Sequence, residues 1–207
     1  MSTKKNFWIG LPMQMMYGLV LGVIVGTMVS SEIGMKISDY LKGAFEPWLI
    51  AFTTCSSAAA LAVNLEASRK MGASKAIASF AIPLGNTINM NGTSIYMGVT
   101  AVFAAEVFGI DLTLAQQFQI VLMGVLAAVG TAGVPGAGLI MTTLVFTEVG
   151  IPLEAVALIA GIDRILDMIR TSVNVLGDSL TALVVSKSEG VLGTELMDQD
   201  TVVKEQL

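Results

Sequence analysis

The residues with the clearest chemical potential lie on one apolar segment near the end of the chain, residues 151–185. On a helix, one face of about 100° would carry six charged or polar side chains: Asp163, Asp167, Arg170, Thr171, Asn174 and Asp178. Even on the mildest insertion scale, each charge at the centre of a bilayer costs about 2.5–3.5 kcal/mol. This polar stripe therefore predicts contact with ions, a substrate or other charges, and the structural alternative is a polar seam packed against another helix.

The composition places this stripe in a membrane protein. Of the 207 residues, 54% are hydrophobic and 13% are charged, whereas soluble domains carry about 25% charged residues. Four stretches contain no charge: residues 8–31, 47–65, 76–105 and 112–147. A spanning helix needs about 20 apolar residues, so the first and third stretches are long enough to cross a bilayer, and the fourth suits a hairpin. We therefore expect a multi-pass protein of the cell membrane, in contact with lipid.

Several classes of function are excluded by what the sequence lacks. It has no histidine and only one cysteine, Cys55, which excludes imidazole metal sites, histidine-based catalysis and an intramolecular disulfide. The net charge of −5 comes largely from loops and the tail, so nucleic acid is not an expected partner. No nucleophile with a base and no phosphate-binding loop is present. We expect neither an enzyme nor an organic cofactor.

Three of the apolar stretches are interrupted by small or polar residues. Residues 47–65 have a centre rich in small hydroxylated side chains, which favours a hairpin that enters and leaves the membrane on one side. Residues 85–93 place asparagine and glycine within an apolar helix, and residues 130–138 contain four glycines and a proline, which indicates a tight turn. Irregular backbone at membrane depth requires protein or a cavity around it. The alternatives are a packing kink at 85–93 and a plain turn at 130–138.

The order of these elements suggests an internal repeat. Residues 47–105 and 112–185 each read as a hairpin followed by an interrupted or polar helix. The basic residues that flank them should be cytoplasmic, and these are Arg69, Lys70, Lys75 and Lys187. Since residues 106–150 contain no lysine or arginine, the two hairpins are expected to enter from opposite sides, with the C-terminus cytoplasmic. Opposed hairpins that meet at mid-membrane are typical of secondary transporters.

Four motifs carry a resemblance to a known family: residues 53–59, 83–93, 130–138 and 161–178. Together they resemble the dicarboxylate/amino acid:cation symporter family, which includes glutamate and aspartate transporters. The resemblance implies an all-α membrane fold with two inverted repeats, each a re-entrant hairpin plus a helix, in an elevator-type transport domain. The implied function is symport of aspartate or glutamate with Na⁺ or H⁺.

The resemblance also implies roles for individual residues. Asp167 would hold the amino group of the substrate, and Arg170 would pair with its side-chain carboxylate, as a guanidinium fork suits. The remaining substrate-binding positions would be Ser56, Ser57, Thr93, Val134, Gly136, Thr171 and Asn174. Sodium would be bound by the carbonyls of Gly85 and Asn174, the side chain of Asn89 and the carboxylate of Asp178, an oxygen-rich set that hard cations prefer. A second cation would use carbonyls near Thr87, Ala128, Val129 and Thr131.

The chain departs from the family pattern in three ways. Asn91 stands where the family has an aspartate near a third cation site, and Ala62 replaces a proline of the first hairpin. The third departure is length, because the family also has a scaffold of several helices. We expect residues 1–46 to form one transmembrane helix with an amphipathic connector, 47–190 the transport core, and 191–207 a disordered acidic tail. The alternatives are a homotrimer or a missing scaffold domain, and a symporter or a transport-incompetent fragment that binds ligand or a full-length relative.

Overall fold

The computed structural model describes residues 33–194 of the chain. The expected transmembrane helix within residues 8–31 and the tail beyond residue 194 lie outside these described residues. The chain divides into two compact units, Met1–Lys42 and Gly43–Leu207. The described part of the first unit holds most of a short helix, α1 (Ile37–Gly43), which lies within the expected amphipathic connector.

The second unit is helical throughout its described part, and no strand occurs within residues 33–194. Its helices are α2 (Phe45–Thr54), α3 (Ser57–Lys70), α4 (Lys75–Ile88), α5 (Asn91–Val107), α6 (Leu114–Val129), α7 (Ala137–Val149), α8 (Glu154–Ala160) and α9 (Asp163–Ser188). The expectation of an all-helical fold is therefore confirmed for this region. Within residues 33–194, no helix combines the length and the apolar composition needed to cross a bilayer on its own.

Helices α2 and α3 form the first hairpin, joined by only Cys55 and Ser56. Cys55 ends α2 in the left-handed conformation, with φ of 54°, which few residues other than glycine adopt. Ser56 then begins α3, because its side-chain oxygen accepts a hydrogen bond from Ala59 N at 3.2 Å. The two helices pack against each other, so the Ser-rich centre of residues 47–65 is the tip of a hairpin.

Helices α6 and α7 form the second hairpin, and the glycine-rich segment lies at its tip. Thr113 begins α6 with a capping box, in which Thr113 Oγ1 accepts from Gln116 N and Gln116 Oε1 accepts from Thr113 N. At the other end, Gly136 precedes α7 with φ of +77°, a conformation that glycine adopts at little cost. The apolar stretch 112–147 is thus two helices, as its length predicts.

The two remaining elements are interrupted helices. The stretch 76–105 is divided into α4 and α5 at Asn89 and Met90, and α8 is separated from α9 at Gly161 and Ile162. Helix α9 occupies the centre of the unit, where it contacts α2, α3, α4, α5 and α8. A separate apolar core joins α5, α6, α7 and α8. The polar stripe is therefore carried by the helix with the most neighbours.

We predict that Thr113→Ala lowers the free energy of unfolding by about 1 kcal/mol, because it removes the capping box of α6. Chemical denaturation in detergent, followed by circular dichroism, measures this change. The matched control is Thr147→Ala, an exposed hydroxyl that only donates to Thr143 O within its own helix, and its expected change stays within about 0.5 kcal/mol. Equal losses in both variants would contradict the assignment of the cap.

Candidate functional site

The polar face of α9 points into the protein. All six residues of the stripe are buried: Asp163, Asp167, Arg170, Thr171, Asn174 and Asp178. Arg164, which is also charged but lies off this face, is exposed. Burial of charge on this scale requires partners for each group, and those partners come from neighbouring helices and from α9 itself.

Three side chains of α9 bind the ends of other helices, two of them inside the unit and one at an exposed position. Asp167 Oδ2 accepts from Gly136 N at 2.8 Å, at the beginning of α7. Asn174 Oδ1 accepts from Gly92 N at 2.7 Å, in the first turn of α5. Arg164 Nη2 donates to Thr53 O at 3.1 Å, in the last turn of α2. These bonds satisfy backbone groups that have no partner within their own helices.

Asp167 and Arg170 form a buried ion pair at the centre of the stripe. Arg170 Nη2 lies 2.6 Å from Asp167 Oδ1, and both side chains are at most 5% exposed. Thr171 Oγ1 donates to the same carboxylate oxygen at 2.8 Å. Arg170 Nη1, in contrast, is buried without a hydrogen-bond partner among the described residues. The two charges of the pair therefore neutralise each other, but the N–H groups of Arg170 Nη1 remain free to bind a further acceptor.

Two residues that sequence reasoning did not single out shape this pair. The Arg170 guanidinium lies over the ring of Tyr96, 4.6 Å from its centroid, and a Cβ on Gly138 would overlap the same guanidinium. Gly138 belonged to the glycine-rich motif without an assigned role. Tyr96 was detectable as the one phenol of an apolar stretch, one turn after Thr93 on α5. Neither signal specifies contact with an arginine.

The tips of the two hairpins meet next to the ion pair. Gly133 O accepts from Ser56 Oγ at 2.9 Å and from Ala58 N at 3.3 Å. Two buried oxygens nearby have no hydrogen-bond partner among the described residues, Ser57 Oγ and Asn86 Oδ1. Ser56 thus joins the hairpins, whereas Ser57 presents an unused hydroxyl at their junction. Sequence reasoning did not assign an individual role to Asn86.

A small cavity of about 10 Å³ lies between these elements, enough for roughly one water molecule. It is lined by Ser57, Met90, Thr93, Thr131, Ala132, Gly133, Val134, Arg170, Thr171 and Asn174. Most of the expected substrate-binding residues therefore share one space. Gly136 and Asp167 adjoin it through their mutual bond, and Ser56 is directed toward Gly133 O instead. A ligand larger than a water molecule requires the lining of this cavity to move.

The residues expected to bind the first cation also lie close together in the structure. Asp178 Oδ1 accepts from Asn89 Nδ2 at 3.0 Å, and a Cβ on Gly85 would overlap the same carboxylate. Among residues 33–194, Asp178 forms no ion pair with lysine or arginine, although it is only 2% exposed. A buried carboxylate without a cationic partner is the kind of group that binds a metal cation. Asn91 lies close by, since a Cβ on Gly177 would be 3.0 Å from the amide nitrogens of both Asn89 and Asn91.

Asn174 links the two groups of residues. Besides binding Gly92 N, it donates from Nδ2 to Thr93 Oγ1 at 3.1 Å. Thr93 lines the small cavity, and Asn89 lies four residues before Thr93 at the break between α4 and α5. The candidate substrate and cation positions are therefore adjacent along the chain, through the backbone between Asn89 and Thr93 and through α9 between Asn174 and Asp178.

The second expected cation group is less compact. Thr131 N donates to Ala128 O at 3.0 Å, and Val129 is half exposed. The Thr87 hydroxyl donates to Leu84 O within its own helix at 2.8 Å. The structure thus places Ala128, Val129 and Thr131 at one turn, with Thr87 on a separate helix.

Comparison with known proteins identifies a family that the chain matches. The sodium:dicarboxylate symporter family matches residues 9–188 of the chain. The chain is 40% identical over 167 residues to a proton/sodium-glutamate symport protein of Bacillus caldotenax, covering 81% of this chain and 40% of that protein. It is 36% identical over 171 residues to a proton/glutamate-aspartate symporter of Escherichia coli (strain K12), covering 83% and 39%.

A similar match is found with excitatory amino acid transporter 2 of Homo sapiens, at 42% identity over 155 residues, covering 73% of this chain and 27% of that protein. The chain therefore spans about two fifths of the length of its bacterial relatives and a smaller share of the human one. Because the family match extends over nearly the whole chain and includes both hairpins, the ion pair and Asp178, the chain belongs to the sodium:dicarboxylate symporter family.

Proposed function

We propose that this chain forms the ligand-binding core of a membrane symporter that moves an acidic amino acid together with Na⁺ or H⁺. The observation that carries the proposal is the buried Asp167–Arg170 pair where the two hairpins meet. Two of its relatives, a proton/sodium-glutamate symport protein and a proton/glutamate-aspartate symporter, support the same substrate class. In this proposal the chain binds and carries its ligand and has no enzymatic step.

The ion pair favours a ligand that carries both an ammonium and a second carboxylate. Such a ligand replaces the Asp167–Arg170 ion pair with two new ones, because its ammonium binds Asp167 while its side-chain carboxylate binds Arg170. A neutral amino acid would separate the pair and leave Arg170 uncompensated, and a dicarboxylate without an amine would leave Asp167 uncompensated. Removing one partner of a buried pair costs about 3–5 kcal/mol, which corresponds to roughly 100-fold or more in affinity. Aspartate and glutamate both meet the requirement.

The α-carboxylate of the ligand has its own set of donors in this proposal. Ser57 Oγ is buried without a partner, and the hydroxyls of Thr93 and Thr171 and the amide of Asn174 adjoin the same cavity. Val134 and Gly136 belong to the tip of the second hairpin, so their backbone closes over the ligand. Ser56 contributes by holding that tip through Gly133 O.

The co-transported cation is proposed to bind at Asp178. Its carboxylate lies against Gly85 and Asn89, and carbonyl and amide oxygens around a carboxylate suit Na⁺. The turn with Ala128, Val129 and Thr131, together with Thr87 and Asn91, supplies further candidate ligands. Na⁺ and H⁺ both satisfy a lone buried carboxylate, since either one neutralises it.

Coupling in this proposal runs through the two chain segments that the sites share, residues 89–93 and residues 174–178 of α9. A cation at Asp178 restrains Asn89 and the break between α4 and α5, and Asn174 transmits this order to Thr93. Cation and substrate then stabilise the same arrangement. By linkage, each raises the affinity of the other by the same factor.

The proposed setting is a membrane, with residues 47–190 as an elevator-type transport core of two inverted hairpin-and-helix repeats and a cytoplasmic C-terminus. Its described surface supports lipid or protein contact, because large apolar side chains such as Phe80, Phe118 and Ile140 are about 70% exposed. A homotrimer or a separate scaffold would complete the assembly.

Our first functional prediction concerns the ion pair. Arg170→Ala and Asp167→Ala should each weaken Na⁺-dependent aspartate binding by roughly 100-fold or more, as measured by isothermal titration calorimetry on purified protein. The matched controls are Arg69→Ala and Asp111→Ala, which remove the same charges outside the site and should change the affinity by less than about threefold. Unchanged binding in both ion-pair variants would refute the substrate assignment.

The cation assignment predicts how two substitutions change the Na⁺ dependence of aspartate binding. Asp178→Asn removes the charge that attracts the cation, so the Na⁺ concentration needed for half-maximal aspartate binding should rise by about tenfold or more. Asn91→Asp adds a carboxylate beside Asn89, so the dependence of aspartate affinity on Na⁺ should become steeper. A Na⁺ titration of aspartate binding measures both. If Asp178→Asn leaves the Na⁺ dependence intact, the cation lies elsewhere.

Transport itself is tested by aspartate uptake into proteoliposomes under an inward Na⁺ gradient, and under an inward H⁺ gradient in parallel. Accumulation above the equilibrium level with either ion identifies the coupling cation. Saturable binding in detergent without accumulation in vesicles would favour the binding-only alternative. A steady ionic current without aspartate would indicate a pore instead.

A further inference from the structure

Two buried oxygen atoms at the junction of the hairpins have no hydrogen-bond partner within residues 33–194. One is Ser57 Oγ, at the first residue of α3, and the other is Asn86 Oδ1, in the last turn of α4. Ser57 is only 2% exposed. Leaving such a group unpaired and away from water lowers the stability of the fold. Each of the two oxygens is therefore expected to bind a partner that is not a neighbouring side chain.

Both oxygens lie beside Gly133, at the tip of the second hairpin. A Cβ on Gly133 would overlap Ser57 Oγ and would lie 3.3 Å from Asn86 Oδ1. Since glycine lacks this atom, the two oxygens border one small space. Ser57 and Gly133 also line the cavity of about 10 Å³, which accommodates roughly one water molecule.

The groups nearest to this space do not satisfy the two oxygens. Gly133 O is itself an acceptor, and it already binds Ser56 Oγ and Ala58 N. A cation would share the cavity with the Arg170 guanidinium, which is part of its lining and repels positive charge. A water molecule meets the requirement, because it donates two hydrogen bonds.

The two oxygens differ in the hydrogen bonds that they form. The Ser57 hydroxyl donates one bond and accepts others, whereas the amide oxygen of Asn86 only accepts. A carboxylate oxygen also only accepts, so Asn86 Oδ1 does not bind the α-carboxylate of a ligand directly. When a water molecule donates one hydrogen to Asn86 Oδ1 and the other to Ser57 Oγ, the hydroxyl proton of Ser57 is left for the ligand.

We propose that one ordered water molecule bridges Asn86 Oδ1 and Ser57 Oγ and thereby directs the Ser57 hydroxyl toward the ligand's α-carboxylate. This inference rests on the proposed function, which assigns Ser57 to that carboxylate. Asn86 is then a positioning residue that acts through water and does not touch the ligand. Because Asn86 follows Gly85 directly, the bridge also joins the α-carboxylate to the helix that carries part of the candidate cation site.

The bridge is tested directly by a structure of the full chain bound to L-aspartate and Na⁺, at a resolution that shows ordered water. We expect a water molecule within about 3.2 Å of both Asn86 Oδ1 and Ser57 Oγ. Ordered water elsewhere in the binding site with none between these two atoms would overturn the proposal.

Calorimetry with L-aspartate and Na⁺ tests the positioning role. Asn86→Leu keeps the approximate shape of the side chain but removes the acceptor, so aspartate binding should weaken by about 3- to 10-fold. In a Ser57→Ala background, the same substitution should change the affinity by less than about twofold, since the water has already lost its second partner. The matched control is Gln117→Leu, which removes an exposed amide on α6 and should leave the affinity within about twofold.

Binding of Na⁺ in the absence of aspartate distinguishes positioning from a structural role. It should be unchanged in Asn86→Leu, because the proposal gives this side chain no contact with the cation. Equal weakening of Na⁺ and aspartate binding, multiplied losses in the double variant, or wild-type aspartate affinity in Asn86→Leu would each overturn the inference and leave the proposed function in place. Failure of the wild-type chain to bind aspartate would overturn both.

Discussion

Helix ends that stop inside the protein impose the main physical constraint on this structure. The first N–H and last C=O groups of a helix lack partners within it, and a buried group left unpaired costs about 1–3 kcal/mol. Helix α9 meets this requirement with Asp167 at the beginning of α7 and Asn174 at the beginning of α5, and Arg164 binds the end of α2 at an exposed position. The signs also agree with the helix dipoles, because the carboxylate lies at an N-terminus and the guanidinium at a C-terminus.

The same groups that complete these helices are the groups we assign to ligand binding, so fold and proposed function are connected by shared hydrogen bonds. Asp167 binds both Arg170 and the backbone at the tip of the second hairpin. A ligand ammonium that takes Asp167 therefore alters what holds this tip. The first hairpin is attached differently, through Arg164 and through Asn64 Nδ2, which donates to Val175 O, and neither contact lies in the cavity.

Small residues allow the polar groups to come this close. A side chain on Gly138 would overlap Arg170, and one on Gly85 would overlap Asp178. Both glycines stand beside a charged group of α9 whose neighbours must leave space and still exclude bulk solvent. Low local polarity around these groups strengthens each remaining interaction. The hydrogen bond from the Tyr96 hydroxyl to Asp163 and the one from the Asn89 amide to Asp178 are therefore stronger than they would be in water.

The sequence by itself determined the helical class, the two hairpins, the breaks near Asn89 and Gly133, and the burial of the stripe on α9. These follow from local rules, since apolar length, glycine and asparagine content and helical periodicity are properties of neighbouring residues. Only the tertiary structure decided that Asp167 pairs with Arg170, that Tyr96 lies beneath this arginine, and that Ser56 binds the opposite hairpin while Ser57 faces the cavity. The contacts of Tyr96 and Ser56 join residues far apart in the chain, and their geometry depends on how the helices pack, which no local pattern of residues specifies. Asp167 and Arg170 are only three residues apart on α9, but the helices packed around them determine that this pair is buried.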